Sequence, residues 1–329
     1  MRDYCWTIGE LSESSYTPKR PMIFDVMTRA WHSPDQLGFE LADGIRGNTR
    51  RLGGGDGTLG AHTRAIECIG CALVHGFKSQ SLSAAIPSEF IADLVGRQPH
   101  RLAGVAGIDP MSPSWSEDLD HAKSLGLVGV NISPSAQGFH PTHSTAMRFY
   151  DRCANECLPV FVTRPGILSP AMILEYDRPA PWDEVARSFP TLKIILGEIG
   201  SPWIEETIAL LSKHPGIYAE TSGISSQSWK LYTTLLSAYE FGVLDKIFFG
   251  SGFPFGSPAA AVEAIYSLNS FALGTNLPTI PRAALRLIVE RNPITTLGMK
   301  APLTIGGGQG TTATSDRTDV GATTFSGRQ

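Results

Sequence analysis

Two carboxylates and two guanidiniums stand where apolar runs of the chain come to an end. In IFDVMTRAW, Asp25, Met27 and Arg29 are spaced two apart, so an extended strand would turn all three to one face. Thr163 and Arg164 close the run PVFV, and Glu198 follows KIILG. A carboxylate held in apolar surroundings is a candidate general acid or base, worth typically ~10² to 10⁴ in rate. An arginine's planar fork recognises a carboxylate in bidentate fashion. The pattern therefore assigns proton transfer to Glu198 or Asp25. It assigns the grip on a small carboxylate substrate to Arg29 and Arg164, with Thr163 beside them and His32 at the rim. The opposite charges of Arg29 and Glu198 also predict a bidentate ion pair, joined by Asp25 or Arg164.

Other chemistry-bearing pairs read as structural. His140 and His143 are three apart and lack a third ligand for a metal. Cys68 with Cys71 and Cys153 with Cys157 formally offer four thiolates, but both pairs lie in apolar patterns where cysteine packs as a small hydrophobe. The Gly53–Gly57 run lacks the Lys-Ser/Thr ending of a phosphate loop and does not directly follow a strand.

The elements that must position these residues are legible as a rhythm. Eight short β-rich runs, at 22–28, 72–77, 102–108, 128–132, 159–163, 193–197, 217–221 and 246–250, alternate with amphipathic segments. Most of the runs are continuously apolar, as strands buried on both faces must be. Between them, segments such as 86–97, 115–126, 142–157, 203–214, 225–241 and 257–273 carry helical periodicity. Ser116 with Glu117, Ser226, and Ser257 with Pro258 are candidate starts. A closing helix over 281–298 breaks near Pro293. Eight such units close most economically into a (β/α)8 barrel with its reactive groups at the carboxyl ends of the strands. An open doubly wound sheet is the alternative. Residues 1–21 precede the barrel as an extension. Residues 30–71 form an excursion too long for an ordinary loop, hence a lid or interface element. The Gly/Thr/Ser-rich residues 303–329 are expected to be a disordered tail.

Composition narrows the class. The 329 residues carry 27 Lys+Arg against 31 Asp+Glu, a net charge of −4, which provides no basic field for nucleic acid. The amino-terminal residues have no apolar core of a leader, and no stretch is apolar enough to span a membrane, so a cytoplasmic protein is expected. Five cysteines in a chain this long fit reduced thiols.

Four segments add a resemblance. IFDVMTRAWHSP resembles the first-strand DxHxH motif of the amidohydrolase superfamily, in the branch of aminocarboxymuconate-semialdehyde decarboxylase and related hydrolases. PVFVTRPG resembles its fifth-strand PVxIHxG, LKIILGEIGSPWIEE its sixth-strand LGHxGxPWxxE, and KIFFGSGFPFGSP its eighth-strand FGSDxPF. SAQGF at 135–139 and the Asn292 segment look similar too. The resemblance spans residues 22 to 298 in co-linear order and implies a TIM barrel. In that family the motif histidines and the eighth-strand aspartate hold a divalent metal. Here those positions are Met27, Arg29, Thr163, Glu198 and Gly252, so no metal and no cofactor is expected.

The loss sets a scale. A zinc ion that takes its water from a pKa of about 15.7 to about 7 supplies roughly 12 kcal/mol, whereas a carboxylate base supplies about 3 to 5 kcal/mol. The first functional expectation is a barrel without a metal centre that acts as a non-catalytic or supporting subunit, in a homodimer or with a metal-bearing homologue. The resemblance implies this, since relatives of the decarboxylase type are dimers in which arginines of one subunit reach the other's pocket. The second is a metal-independent hydrolase, lactonase or decarboxylase acting on a small carboxylate.

Overall fold

A computed structural model describes residues 22–52 and 55–300, with the side chains of 47–52 left aside. The expected extension over 1–21, the tail over 303–329, and Gly53 and Gly54 of the glycine run lie outside the described residues.

Eight strands form one parallel sheet in sequential order. They are β1 (Phe24–Thr28), β2 (Cys71–His75), β3 (Leu102–Gly107), β4 (Val130–Ile132), β5 (Val160–Val162), β6 (Ile194–Leu196), β7 (Ile217–Glu220) and β8 (Ile247–Phe248). The sheet closes on itself because Val26 N–H donates to Phe249 O at 2.9 Å, Gly252 N–H to Met27 O at 3.0 Å and Arg29 N–H to Phe253 O at 2.9 Å. Helices follow the strands, giving the (β/α)8 barrel that the apolar runs predict.

Two layers of side chains hold it. Val26, Leu73, Val105, Val128, Phe161, Ile195 and Phe248 fill the interior, on a floor of Ile294, Leu297 and Met299. Ile294 and Leu297 of that floor lie on the helix Pro293–Leu297, capped by Asn292, whose side chain accepts from the N–H groups of Ile294 and Thr295. Outward residues of the same strands, such as Ala72, Val130, Ile194 and Ile247, pack against the helices.

Several expected starts and ends shift. The segment at 115–126 forms a helix over Trp115–Ser124 with Ser114 at its cap position, and that at 225–241 runs Ser228–Glu240 with Gln227 there. Ser116 and Ser226 are therefore not caps, whereas Ser257 accepts from Ala260 N–H ahead of Pro258. After β2 the chain makes a hairpin, Phe77–Ser79 against Ala84–Ile86, which the pattern does not reveal. The 30–71 excursion carries helices Phe39–Leu52 and Leu59–Ala65, packs Trp31, Leu37, Leu41 and Ile45 into the core, and donates Gly55 N–H to Pro254 O beyond β8 at 3.0 Å. No helix among the described residues is long and apolar enough to cross a membrane.

A bulge in β1 decides what reaches the barrel mouth. Asp25 pairs with Ala72 and Thr28 with Val74, so two residues of β1 oppose the single Leu73. Val26 turns inward with Leu73, while Asp25 and Thr28 lie with the outward residues Ala72 and Val74. The extra residue carries Met27 and Arg29 to the cavity above.

Candidate active site

A cavity of about 220 Å³ opens at the carboxyl ends of the strands, lined by Met27, Arg29, Thr163, Arg164, Glu198, Glu220 and a set of serines including Ser222, Ser225 and Ser251. Arg29 reaches in from the end of β1 and is only 3% exposed. Its Nη2 donates to Thr163 Oγ1 at 2.6 Å, and its Nε has no partner. Burial lowers its pKa to about 10, an effect that the negative charges of Glu220 and Glu198 oppose, so it stays charged at neutral pH.

Thr163, at the end of β5, passes its hydroxyl to Asn131 Oδ1 at 2.6 Å, and Asn131 Nδ2 donates to Gly76 O at 2.8 Å. Arg164 leaves β5 on the neighbouring bearing and forms an ion pair with Glu198. Glu198 and Ile199 both take left-handed backbone conformations, at φ 54° and 48°. A β-branched residue there is an outlier of the kind that clusters at functional sites. The turn aims the Glu198 N–H at Glu220 Oε1, 2.9 Å away.

Glu220, the last residue of β7, is fully buried. Ser222 N–H donates to its Oε2 at 2.6 Å, and Ser222 Oγ donates to its Oε1 at 2.6 Å. Desolvation outweighs these three donors and pushes its pKa up to about 7, with the nearby negative charge of Glu198 adding to the rise. Gly250 makes room for it: a Cβ at that position would sit 2.1 Å from Glu220 Oε2. The sequence reading passes over Glu220. Its signal is a single carboxylate inside IYAET, a run otherwise fit for burial on both faces.

The structure corrects three expectations. Arg29 and Glu198 do not pair: the partner of Glu198 is Arg164, and that of Arg29 is Thr163, because the turn at Glu198 carries its carboxylate toward β5. Asp25 is not a cavity residue, because the bulge keeps it on the outward side. There its Oδ1 accepts from Met27 N–H at 3.1 Å and Ser251 N–H at 3.0 Å, joining β1 to the segment after β8. Burial raises its pKa to about 6. His32 is exposed, meets Phe90 in a tilted ring contact with centres 4.3 Å apart, and lies away from the cavity lining.

The remaining expected pairs are placed as structural groups. His143 accepts from Thr145 N–H as a helix cap and His140 bonds Thr142, while Cys71 and Cys153 are buried and Cys68 and Cys157 exposed, all four as free thiols. Beneath the cavity, His75 donates Nε2–H to Val26 O at 2.8 Å, and burial holds its pKa down to about 3.

The metal site that the resemblance implies does not fit these residues. A glycine, a threonine hydroxyl already bonded to Asn131, a glutamate ion-paired with Arg164, a thioether and a guanidinium make no ligand set for zinc or manganese. Among the described residues no group of three or more His, Cys, Asp or Glu could hold a metal ion.

No curated protein matches the chain at a significant level. Solved structures share the barrel at low identity. An uncharacterized TIM-barrel protein from Bordetella bronchiseptica is 19% identical with a TM-score of 0.64, covering 84% of this chain and 99% of its own. A probable 2-pyrone-4,6-dicarboxylic acid hydrolase from Acinetobacter baumannii, with citric acid bound, is 15% identical with a TM-score of 0.55, covering 84% and 99%. A dihydroxybenzoic acid decarboxylase from Polaromonas sp. JS666, with bound manganese and 2-nitroresorcinol, is 16% identical with a TM-score of 0.58, covering 84% and 97%. The amidohydrolase family model matches residues 78–299, more than half of the chain and including the fifth-, sixth- and eighth-strand motifs. The chain belongs to the amidohydrolase family.

Proposed function

We propose that this barrel acts without a resident metal on a small carboxylate, hydrolysing a lactone or activated ester. Arg29 seats the carboxylate and Glu220 moves the proton. One observation carries the reading: Arg29 and Glu220 are both buried, carry opposite charges and line one cavity, yet they make no ion-pair contact, and Arg29 Nε is unpaired. A ligand carboxylate would pair with the part of the Arg29 guanidinium that lines this water-poor cavity, where a charged hydrogen bond is at its strongest.

Glu220 has its pKa raised to about 7, where a general base is both partly ionised and basic enough to act. Ionised, it takes a proton from a water that attacks the acyl carbon. The protonated carboxyl then returns that proton to the departing alkoxide as the ring opens. A carboxylate base supplies about 3 to 5 kcal/mol, so the substrate must be reactive, which excludes an amide. The structural neighbours in keeping with this class are the probable 2-pyrone-4,6-dicarboxylic acid hydrolase and the dihydroxybenzoic acid decarboxylase. Loss of CO₂ from an activated carboxylate, with Glu220 delivering the replacing proton, is the related alternative.

The replaced metal positions favour a second reading, a supporting subunit bound to a copy of itself or to a metal-bearing homologue. One set of assays separates the two. Chelator-treated protein, shown to be metal-free by elemental analysis, is expected to turn over members of a panel of lactones and β-keto acids, and Glu220→Gln is expected to lower that rate by about 10² or more. Inertness across the panel, together with co-purification of a metal-bearing homologue from the native source, would favour the supporting role.

A further inference from the structure

Arg29 is a buried cation whose direction is set by a single hydrogen bond, and the polarity of that bond follows from groups three strands away. Gly76 O is a carbonyl and can only accept, so Asn131 must turn its Nδ2 toward it, at 2.8 Å. Asn131 Oδ1 then faces Thr163 and can only accept, which obliges the Thr163 hydroxyl to donate to it at 2.6 Å. With its hydrogen committed, Thr163 Oγ1 offers Arg29 a lone pair alone, and Nη2 donates to it at 2.6 Å. All three side chains are buried, at 1% exposure for Asn131, 5% for Thr163 and 3% for Arg29. Packing does not explain a buried asparagine in the middle of β4, where its neighbours Val130 and Ile132 are apolar. The polar chain it starts does.

We infer that Asn131 and Thr163 are positioning residues: they fix the Arg29 guanidinium so that the part of it lining the cavity stays aimed at a ligand carboxylate. The inference rests on the carboxylate reading of the cavity. Thr163, at a position the family gives to a metal ligand, thus serves the cation that replaces the metal.

The test uses full-length protein and propionate, with propionamide as its neutral counterpart. Thr163→Val keeps the shape and removes the lone pair; Thr163→Ala stands in if valine does not fold, and Thr163→Ser keeps the hydroxyl. Calorimetric titration is expected to show propionate binding weakened about tenfold or more in Thr163→Val. Thr163→Ser should stay near wild type, and propionamide should bind all forms alike. Nitrogen NMR of the Arg29 Nε–H gives a readout that needs no ligand: slow solvent exchange in wild type, fast in Thr163→Val, slow again in Thr163→Ser. An unchanged Nε–H signal in Thr163→Val, or propionate affinity equal to wild type, overturns the positioning role. A wild type that binds no propionate, while Thr163→Val still speeds exchange of the Nε–H, leaves positioning standing and sinks the carboxylate reading instead.

Discussion

Arg29 and Glu220 face each other across one cavity without touching. Both are buried, and the Glu220 charge acts through space to raise the Arg29 pKa against the lowering effect of burial. A closed ion pair would use up both charges. Kept apart, they leave both charges available, which is what the proposed function requires of them.

Glu220 makes stability depend on pH in an unusual direction. Its pKa rises from 4.5 to about 7 on folding, so the folded state binds more protons than the unfolded state between those values. The stability this contributes is complete below about pH 4.5 and is lost as pH rises through about 7, with Asp25, raised to about 6, acting in the same sense. Folding stability measured by urea titration is expected to fall between pH 5 and 8 by a few kcal/mol, about 1.36 per pKa unit. Glu220→Gln should flatten that slope. A midpoint that climbs over this range would contradict the assignment.

Arg29 should not tolerate its usual replacement. Lysine keeps the charge but has neither the fork nor a second N–H in the same plane. Arg29→Lys is expected to weaken small-carboxylate binding about tenfold, and Arg29→Met to abolish it. In wild type, a saturating carboxylate at about 100 times its Kd should add about 2.7 kcal/mol to stability. A thermal-shift screen of C2 to C7 carboxylates reads all three.

Restoring the family's eighth-strand aspartate should cost stability instead of building a site. Gly252 has φ +70° and a Cβ there would lie 3.0 Å from Ser222 Cβ. Gly252→Asp therefore takes an L side chain into the left-handed region against a tight neighbour, a loss of about 1–3 kcal/mol by denaturant titration. Added zinc should not recover it, because the other four positions still offer no ligand set.

Gly250→Ala tests the shape of the proton-transfer group. Its Cβ would fall 2.1 Å from Glu220 Oε2 and 3.0 Å from Met27 Cβ, so the carboxylate must leave its three donors. Turnover should drop about as far as in Glu220→Gln, and the pH dependence of stability should change with it. Activity equal to wild type would exclude Glu220 as the base.

The barrel is legible because its strands are short apolar runs, from the residues around Val26 to those around Phe248, and periodicity reports burial. The cavity is only partly so. Arg29, Thr163, Arg164 and Glu198 sit at strand ends and reach it, but their partners depend on two departures from regular geometry that no residue pattern announces. The bulge in β1 turns Asp25 away, and the left-handed turn at Glu198 hands its carboxylate to Arg164. Glu220 and Asn131 were hidden for the opposite reason: each lies inside a run whose apolar neighbours make it read as plain strand. A polar residue embedded in a doubly buried run is thus the signal to look for.

The arginine at the mouth of β1 is covalently part of the chain. A site charged by a captured ion is empty until loaded and can be stripped by a chelator or filled by the wrong element. This one acquires its positive centre as the chain folds, and no chelator can remove an arginine.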